Sequence, residues 1–207
     1  MALLLGWFAI YTILAEALAP RAPLLSQDMA PAEPILIESL ADWTATAVLR
    51  GDLVARIASA RATAAVNGGR PLDSPDAATA RDDALATARQ SLSLAPHASA
   101  MWLRMAMLQS QVQTDAPAAA ALKMSYLTAA NDMNLIPTRL AMVARSKALD
   151  DAELRDLARG DIRLILTRHP DQRAAIVNAY RGGSSDGKAY IDDVVRSIDP
   201  RFAASLP

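Results

Sequence analysis

Two histidines, one glycine-rich stretch and three pairs of adjacent aspartates are the residues of this chain whose types could do chemistry. A zinc site needs several ligands converging from short, paired spacings. His97 and His169 lie far apart in the sequence, and the chain has no cysteine. No thiolate site, disulfide or cysteine nucleophile can therefore form. His169, in "TRHPD", reads more simply as a cation-capable ring at a helix C-terminus, where the dipole favours it. The stretch "RGGSSDGKA" (181–189) has the glycines of an anion cradle. It lacks the spacing of a phosphate-binding loop, and it follows a helical pattern rather than a strand. A flexible interhelical loop is the simpler reading. Ser184 and Ser185 have no histidine partner suggested by the sequence, so they do not form a nucleophile–base pair. The pairs Asp82-Asp83, Asp150-Asp151 and Asp192-Asp193 suggest acid–base work. Neighbours on a helix point about 100° apart, however, so the members of a pair do not face each other. Helix capping and solvation account for them.

What remains is soft and apolar. Met101, Met105 and Met107, with Met124, Met133 and Met142, are flexible thioethers of the kind found on adaptable binding surfaces, and equally of the kind that fill cores. Trp102 and Tyr126 read as interior residues whose functional use would be a partner groove. Trp102, Met105 and Tyr126 are thus the candidate partner-binding residues. No catalytic, cofactor-binding or metal-binding residue is assigned, and the expectation is a protein that is not an enzyme.

The elements that must position these residues are helical. Pro34 opens a helix whose "ILIESLADWTATAVLR" places Ile35, Leu36, Leu40, Trp43 and Ala47 at helical spacing. Gly51-Asp52 reads as a stop and a new N-cap, and Asn67-Gly68-Gly69 as the end of the following helix. Ser74-Pro75 is a strong start signal, a capping hydroxyl followed by proline at the first helical position. That helix runs to about Leu94, before Pro96. Further helices are predicted from Ser99 to about Gln113, from Asp115, from Pro137, and from Asp150 or Asp151. The last carries a buried stripe of Leu154, Leu157, Ala158, Ile162, Ile165 and Leu166, with Arg155, Asp156, Arg159 and Arg163 facing solvent. Two final helices, about 171–180 and 188–198, flank the glycine-rich loop. No segment alternates as a strand does, so the fold class is all-α, with about seven to nine short antiparallel helices.

The chain opens "MALLLGWFAIYTILAEALAP", with no charge from Ala2 to Ala15. A spanning helix needs about 20 mostly apolar residues, which this run reaches with Glu16 near an interface. Leu4, Trp7, Phe8, Tyr11 and Leu14 are its candidate anchor residues. A cleaved signal would want a basic n-region, which is absent, and Pro20 is a poor first residue for a mature chain. A retained anchor is therefore favoured over a removed signal or a buried helix, with all three open. Both flanks are poor in Lys and Arg, so charge gives little orientation. Across all 207 residues, 21 Lys+Arg against 22 Asp+Glu leave a net charge of -1, which offers no footprint for nucleic acid. The 52% hydrophobic content is only 4% aromatic; alanine and leucine, both strong helix formers, supply most of it.

Between Asp82 and Leu108 the spacing of Ala84, Ala88, Pro96, Trp102, Met105 and Ala106 resembles the tetratricopeptide repeat, a helix–turn–helix unit of about 34 residues. Ser91 and Ser110 depart from that pattern, and the stretch to Pro137 is longer than one repeat. "ALKMSYLTAANDMNLIPTRLAMVAR" and "ELRDLARGDIRLILTRHPDQRAAIVNAYR" look like stretches in a group of bacterial proteins with an N-terminal membrane helix before a tetratricopeptide-like domain. Several of those are associated with extracellular polysaccharide pathways. The resemblance implies an anchor over 1–20, a linker over 21–34, a tetratricopeptide-like helical domain over 35–200 and a tail over 201–207. That domain would be a right-handed solenoid or a compact bundle. It also implies a single-pass protein of the bacterial inner membrane with its soluble part in the periplasm. The expected function is a membrane-tethered scaffold or adaptor for protein partners in a cell-envelope process such as polysaccharide biosynthesis or export, without cofactor, metal or nucleic acid. The alternative is an accessory subunit of a larger membrane complex for transport, secretion or energy conversion.

Overall fold

The computed structural model describes residues 51–67, 71, 74–111 and 115–207. The expected membrane helix with Leu4, Trp7, Phe8, Tyr11 and Leu14, the linker over 21–34 and the helix from Ile35 lie outside these residues. Among the described residues every regular element is a helix. None of those helices is long and apolar enough to cross a membrane. The described chain divides into two compact units, one ending at Pro96 and one beginning at His97.

The first unit contains α1 (Gly51–Asn67) and α2 (Pro75–Leu94). Ser74 caps α2 as its sequence foretells, its hydroxyl accepting from the Ala77 amide at 3.2 Å, with Pro75 next in line. Gly51 and Asp52 lie inside α1 rather than ahead of it. Gly51 stands against Leu94, and Arg61 donates to Thr87 Oγ1 at 2.8 Å, so the two helices run antiparallel. Ala58, Ala62, Ala84 and Ala88 are all fully buried. Alanine at these places lets the backbones come close, while Val54, Ile57, Leu85 and Leu92 fill the remaining space.

The second unit contains α3 (Ser99–Ser110), α4 (Asp115–Thr128), α5 (Ile136–Arg145), α6 (Ala152–Arg168), α7 (Arg173–Arg181), α8 (Ser185–Ile198) and α9 (Pro200–Ala203). Helices α3 and α4 pack on each other, with Leu103, Ala106 and Leu108 buried on one and Ala121 and Leu122 buried on the other. Their short connection makes them antiparallel neighbours. Helix α5 packs against α6, α7 and α8, and α9 folds back on α8. Residues 201–207, expected as a tail, begin inside α9: Asp199 caps it by accepting from the Phe202 amide, Ala203 is buried, and Arg173 lies over the Phe202 ring.

Asp151 is the N-cap of α6, one carboxylate oxygen accepting from the Glu153 and Leu154 amides at 2.9 and 3.2 Å. Its other oxygen meets Lys123 Nζ at 2.5 Å, and Glu153 meets the same ammonium at 3.0 Å, so α4 is tied to the start of α6. The Lys123 hydrogen bond holds the Asp151 carboxyl below its ordinary range, helped by the two amides. Asp151→Ala is expected to cost about 1 kcal/mol, the usual value of a lost cap, read as a lower urea midpoint at neutral pH. Because the folded-state pKa is depressed, that contribution is present above the unfolded pKa and disappears as pH falls through the folded one.

The glycine-rich segment is a tight joint, not a slack loop. Only Gly182, Gly183 and Ser184 separate α7 from α8. Ser184 caps α8 by accepting from the Gly187 amide at 3.1 Å. Its own amide and hydroxyl both donate to the Ala144 carbonyl, at 2.8 and 3.1 Å. That carbonyl belongs to the last turn of α5, where helical geometry leaves acceptors without intrahelical donors. A Cβ on Gly187 would sit 2.0 Å from the same oxygen. Glycine is there because two helix backbones touch.

Candidate functional site

Three polar side chains that face the interior converge in the second unit: Tyr126 from α4, Arg139 from α5 and Asp161 from α6. Their exposures are 1%, 0% and 2%. Each lies on the apolar stripe of its helix. Arg139 follows Ile136 by three and precedes Val143 by four, and Asp161 lies between Ala158 and Ile165 at the same intervals.

The Arg139 guanidinium reaches the C-terminal end of α4. Nε donates to Ser125 Oγ at 3.1 Å, Nη1 to the Ala129 carbonyl at 2.9 Å, and Nη2 to the Ser125 carbonyl. The terminal carbonyls of a helix have no intrahelical donors, and the negative end of the dipole attracts a cation. Arg139 is thus a cap supplied to α4 by a different helix. The same guanidinium lies over the Tyr126 ring, 4.7 Å from its centroid, an arrangement that the ring quadrupole favours.

Asp161 completes the cluster. Neither its Oδ2 nor the Tyr126 hydroxyl meets a hydrogen-bond partner in full geometry. Even so, the two groups are close enough that each moves the other's titration. Burial pushes the Asp161 carboxyl up to about 7, against the opposing pull of Arg139 and Tyr126. Burial likewise raises the Tyr126 hydroxyl and lowers Arg139. Tyr190 of α8 stands nearby; its hydroxyl donates to the Arg155 carbonyl, and burial raises it to about 12.

A carboxyl near neutrality, beside a phenol and a guanidinium, has the composition of an acid–base site. With all three side chains enclosed, their charge acts on the stability of the fold. The pH dependence follows. Asp161 is raised from 3.8 to about 7, so the folded state holds a proton that the unfolded chain has released. Its contribution is fully present below the unfolded pKa and is lost as pH rises through the folded one. The urea midpoint is therefore expected to fall between about pH 4 and about pH 8, and Asp161→Asn, which fixes the neutral shape, is expected to flatten that slope. Parallel slopes for the two proteins would show that the carboxyl does not titrate in this range.

The sequence candidates are placed as follows. Trp102 is half-buried and Met105 is 8% exposed, both on α3; Tyr126 is enclosed on the neighbouring α4 with Arg139 over its ring. Of the three, Trp102 presents surface. Leu127, next to Tyr126, is 56% exposed and is not among the sequence candidates. His97 lies in the turn before α3, and His169 follows the last residue of α6 as its C-cap. Among the described residues, no group of three or more His, Asp or Glu side chains converges. Arg139 and Asp161 are not among the sequence candidates, although a charge on an apolar stripe is the signal that marks both. Comparison of the chain with protein-family models, curated proteins and solved structures found no match.

Proposed function

We propose that this chain is a membrane-tethered helical scaffold that docks a protein partner in a bacterial cell-envelope process, with polysaccharide biosynthesis or export as the setting its tetratricopeptide-like stretches suggest. The observation that carries the reading is the combination in one chain of an uncharged apolar opening and a body whose described part is entirely helical. Helices paired through alanine within a hairpin present broad side-chain surfaces, which suit docking better than a single deep reaction centre. Half-buried Trp102 and Met124 and exposed Leu127 supply apolar area on α3 and α4. The body then lies in the periplasm and residues 1–20 hold it at the inner membrane.

Mild detergent extraction of the full chain followed by affinity capture is expected to recover a defined membrane assembly. Trp102→Ala and Leu127→Asp are expected to weaken that recovery while leaving the circular dichroism spectrum unchanged. Capture of the chain alone under mild extraction contradicts the scaffold. The second reading, an accessory subunit packed within a larger membrane complex, is favoured by Gly6 and Ala9, small residues that permit close helix approach in lipid. Exchanging residues 1–20 for an unrelated anchor separates the two. The scaffold keeps its partner, and the subunit loses it.

A further inference from the structure

We propose that the outward face of α6 is a docking surface for an acidic polypeptide segment, held by Arg155, Arg159 and Arg163 beside the open position at Gly160. This surface is separate from Trp102, Met105 and Tyr126, and it does not depend on the tether.

The three arginines recur every fourth residue, which puts them on successive turns with Cβ atoms about 5–6 Å apart. All three are exposed. Ion pairs among the described residues of the second unit include Lys123 with Asp151 and Glu153, Arg173 with Asp199, and Arg196 with Asp192. Arg155, Arg159 and Arg163 take part in none of them, and Glu153, the acid nearest the start of the helix, is already held by Lys123. Asp156 is the remaining acid on this face, and with Arg155 and Arg159 it acts on the Tyr190 ring hydroxyl. Among the described residues the face therefore carries a surplus of positive charge.

Gly160 is the second, independent observation. It sits in the middle of a 17-residue helix, exposed, and a Cβ there would meet nothing within 4 Å. Glycine weakens a helix interior, and no packing among the described residues requires it at that place. A gap in the side-chain surface beside a row of arginines suits a foreign backbone that approaches closely while its carboxylates reach the guanidinium forks. A lipid surface fits less well. Membrane-lying helices flank their basic residues with large apolar ones, and the exposed large hydrophobics among the described residues, Leu94 and Leu127, belong to α2 and α4.

The test uses the full chain in mild detergent, with fluorescent poly-L-glutamate as one probe and phosphatidylglycerol vesicles as the other. The wild type is expected to bind poly-L-glutamate with an affinity that falls as salt rises. Arg155→Glu/Arg159→Glu/Arg163→Glu is expected to weaken binding about tenfold or more, the sum of three modest exposed pairs. Arg89→Glu/Arg181→Glu/Arg201→Glu makes the same change in net charge on other exposed arginines and is expected to alter binding far less. Gly160→Leu, which leaves charge untouched, is expected to weaken binding by filling the approach. Equal losses in the two triple variants would reduce the effect to net charge and overturn the assignment. So would an unchanged affinity in Gly160→Leu, absence of poly-L-glutamate binding, or an effect of the α6 triple confined to the vesicles.

Discussion

Alanine at Gly187 is expected to lower the urea midpoint sharply, whereas the same substitution at Gly160 is expected to raise it. At Gly187 the new Cβ would lie 2.0 Å from the Ala144 carbonyl oxygen and 2.7 Å from its carbon, both backbone atoms in a helix that cannot yield locally. Relief requires α8 to move away from the end of α5. That movement stretches the two hydrogen bonds from Ser184 to the same carbonyl. Overpacking of this kind typically costs about 1–3 kcal/mol, with backbone clashes at the upper end. The gain in helix propensity from glycine to alanine, about 1 kcal/mol, offsets only part of it. At Gly160 nothing opposes the methyl group, so the propensity gain stands alone. Paired urea melts of the two variants check the contact directly. A neutral Gly187→Ala would mean that α5 and α8 do not touch as described.

The second large effect is expected from Arg139→Met. Methionine roughly keeps the volume but removes all the donors. The Ser125 and Ala129 carbonyls at the end of α4 then lose their cap, and Ser125 Oγ loses its donor. Asp161 also loses the cation that acts on it among the described residues. Breaking a buried charged cluster by removing one partner costs about 3–5 kcal/mol. The loss should grow as pH rises through the Asp161 pKa of about 7, because an ionised carboxylate is then left buried without its counter-charge. Arg139→Met/Asp161→Asn is accordingly expected to be less damaged than Arg139→Met alone above that pH. A double-mutant cycle run at two pH values measures the coupling. Additive losses at both would show that Arg139 serves α4 alone.

Local rules made much of the helical scaffold legible. Ser74-Pro75 caps the helix its sequence predicts, and of Asp150 and Asp151, between which the sequence does not choose, Asp151 is the cap, because a short oxygen-bearing side chain ahead of a helix acts on nearby backbone amides. The stripe of α6 is legible at Leu154, Ala158, Ile162, Ile165 and Leu166, while Leu157, expected in it, is half-buried; Arg155, Asp156, Arg159 and Arg163 face solvent as expected. The all-α class followed from the same periodicity. What escaped depends on neighbours distant in sequence. Asp161 and Arg139 occupy stripe positions, but their charge disguised them, and only the meeting of α4, α5 and α6 gives each a partner. Gly187 stands four residues before Ile191 and seven before Val194, on the buried face of α8. The surrounding glycines and serines suggested a loose connection, since its contact with Ala144 spans more than forty residues of chain. Tyr126 was rightly read as interior; the guanidinium over its ring was not visible in the sequence.

Residues 1–20 are proposed to hold this helical body in a membrane, and alkaline carbonate washing of membranes from cells making the full chain tests that tether. The full chain is expected to stay in the membrane pellet through the wash. A variant with serine at Leu4, Phe8, Tyr11 and Leu14 is expected to be released while remaining helical. A wild-type chain that washes into the supernatant, folded and of full length, would contradict the claim.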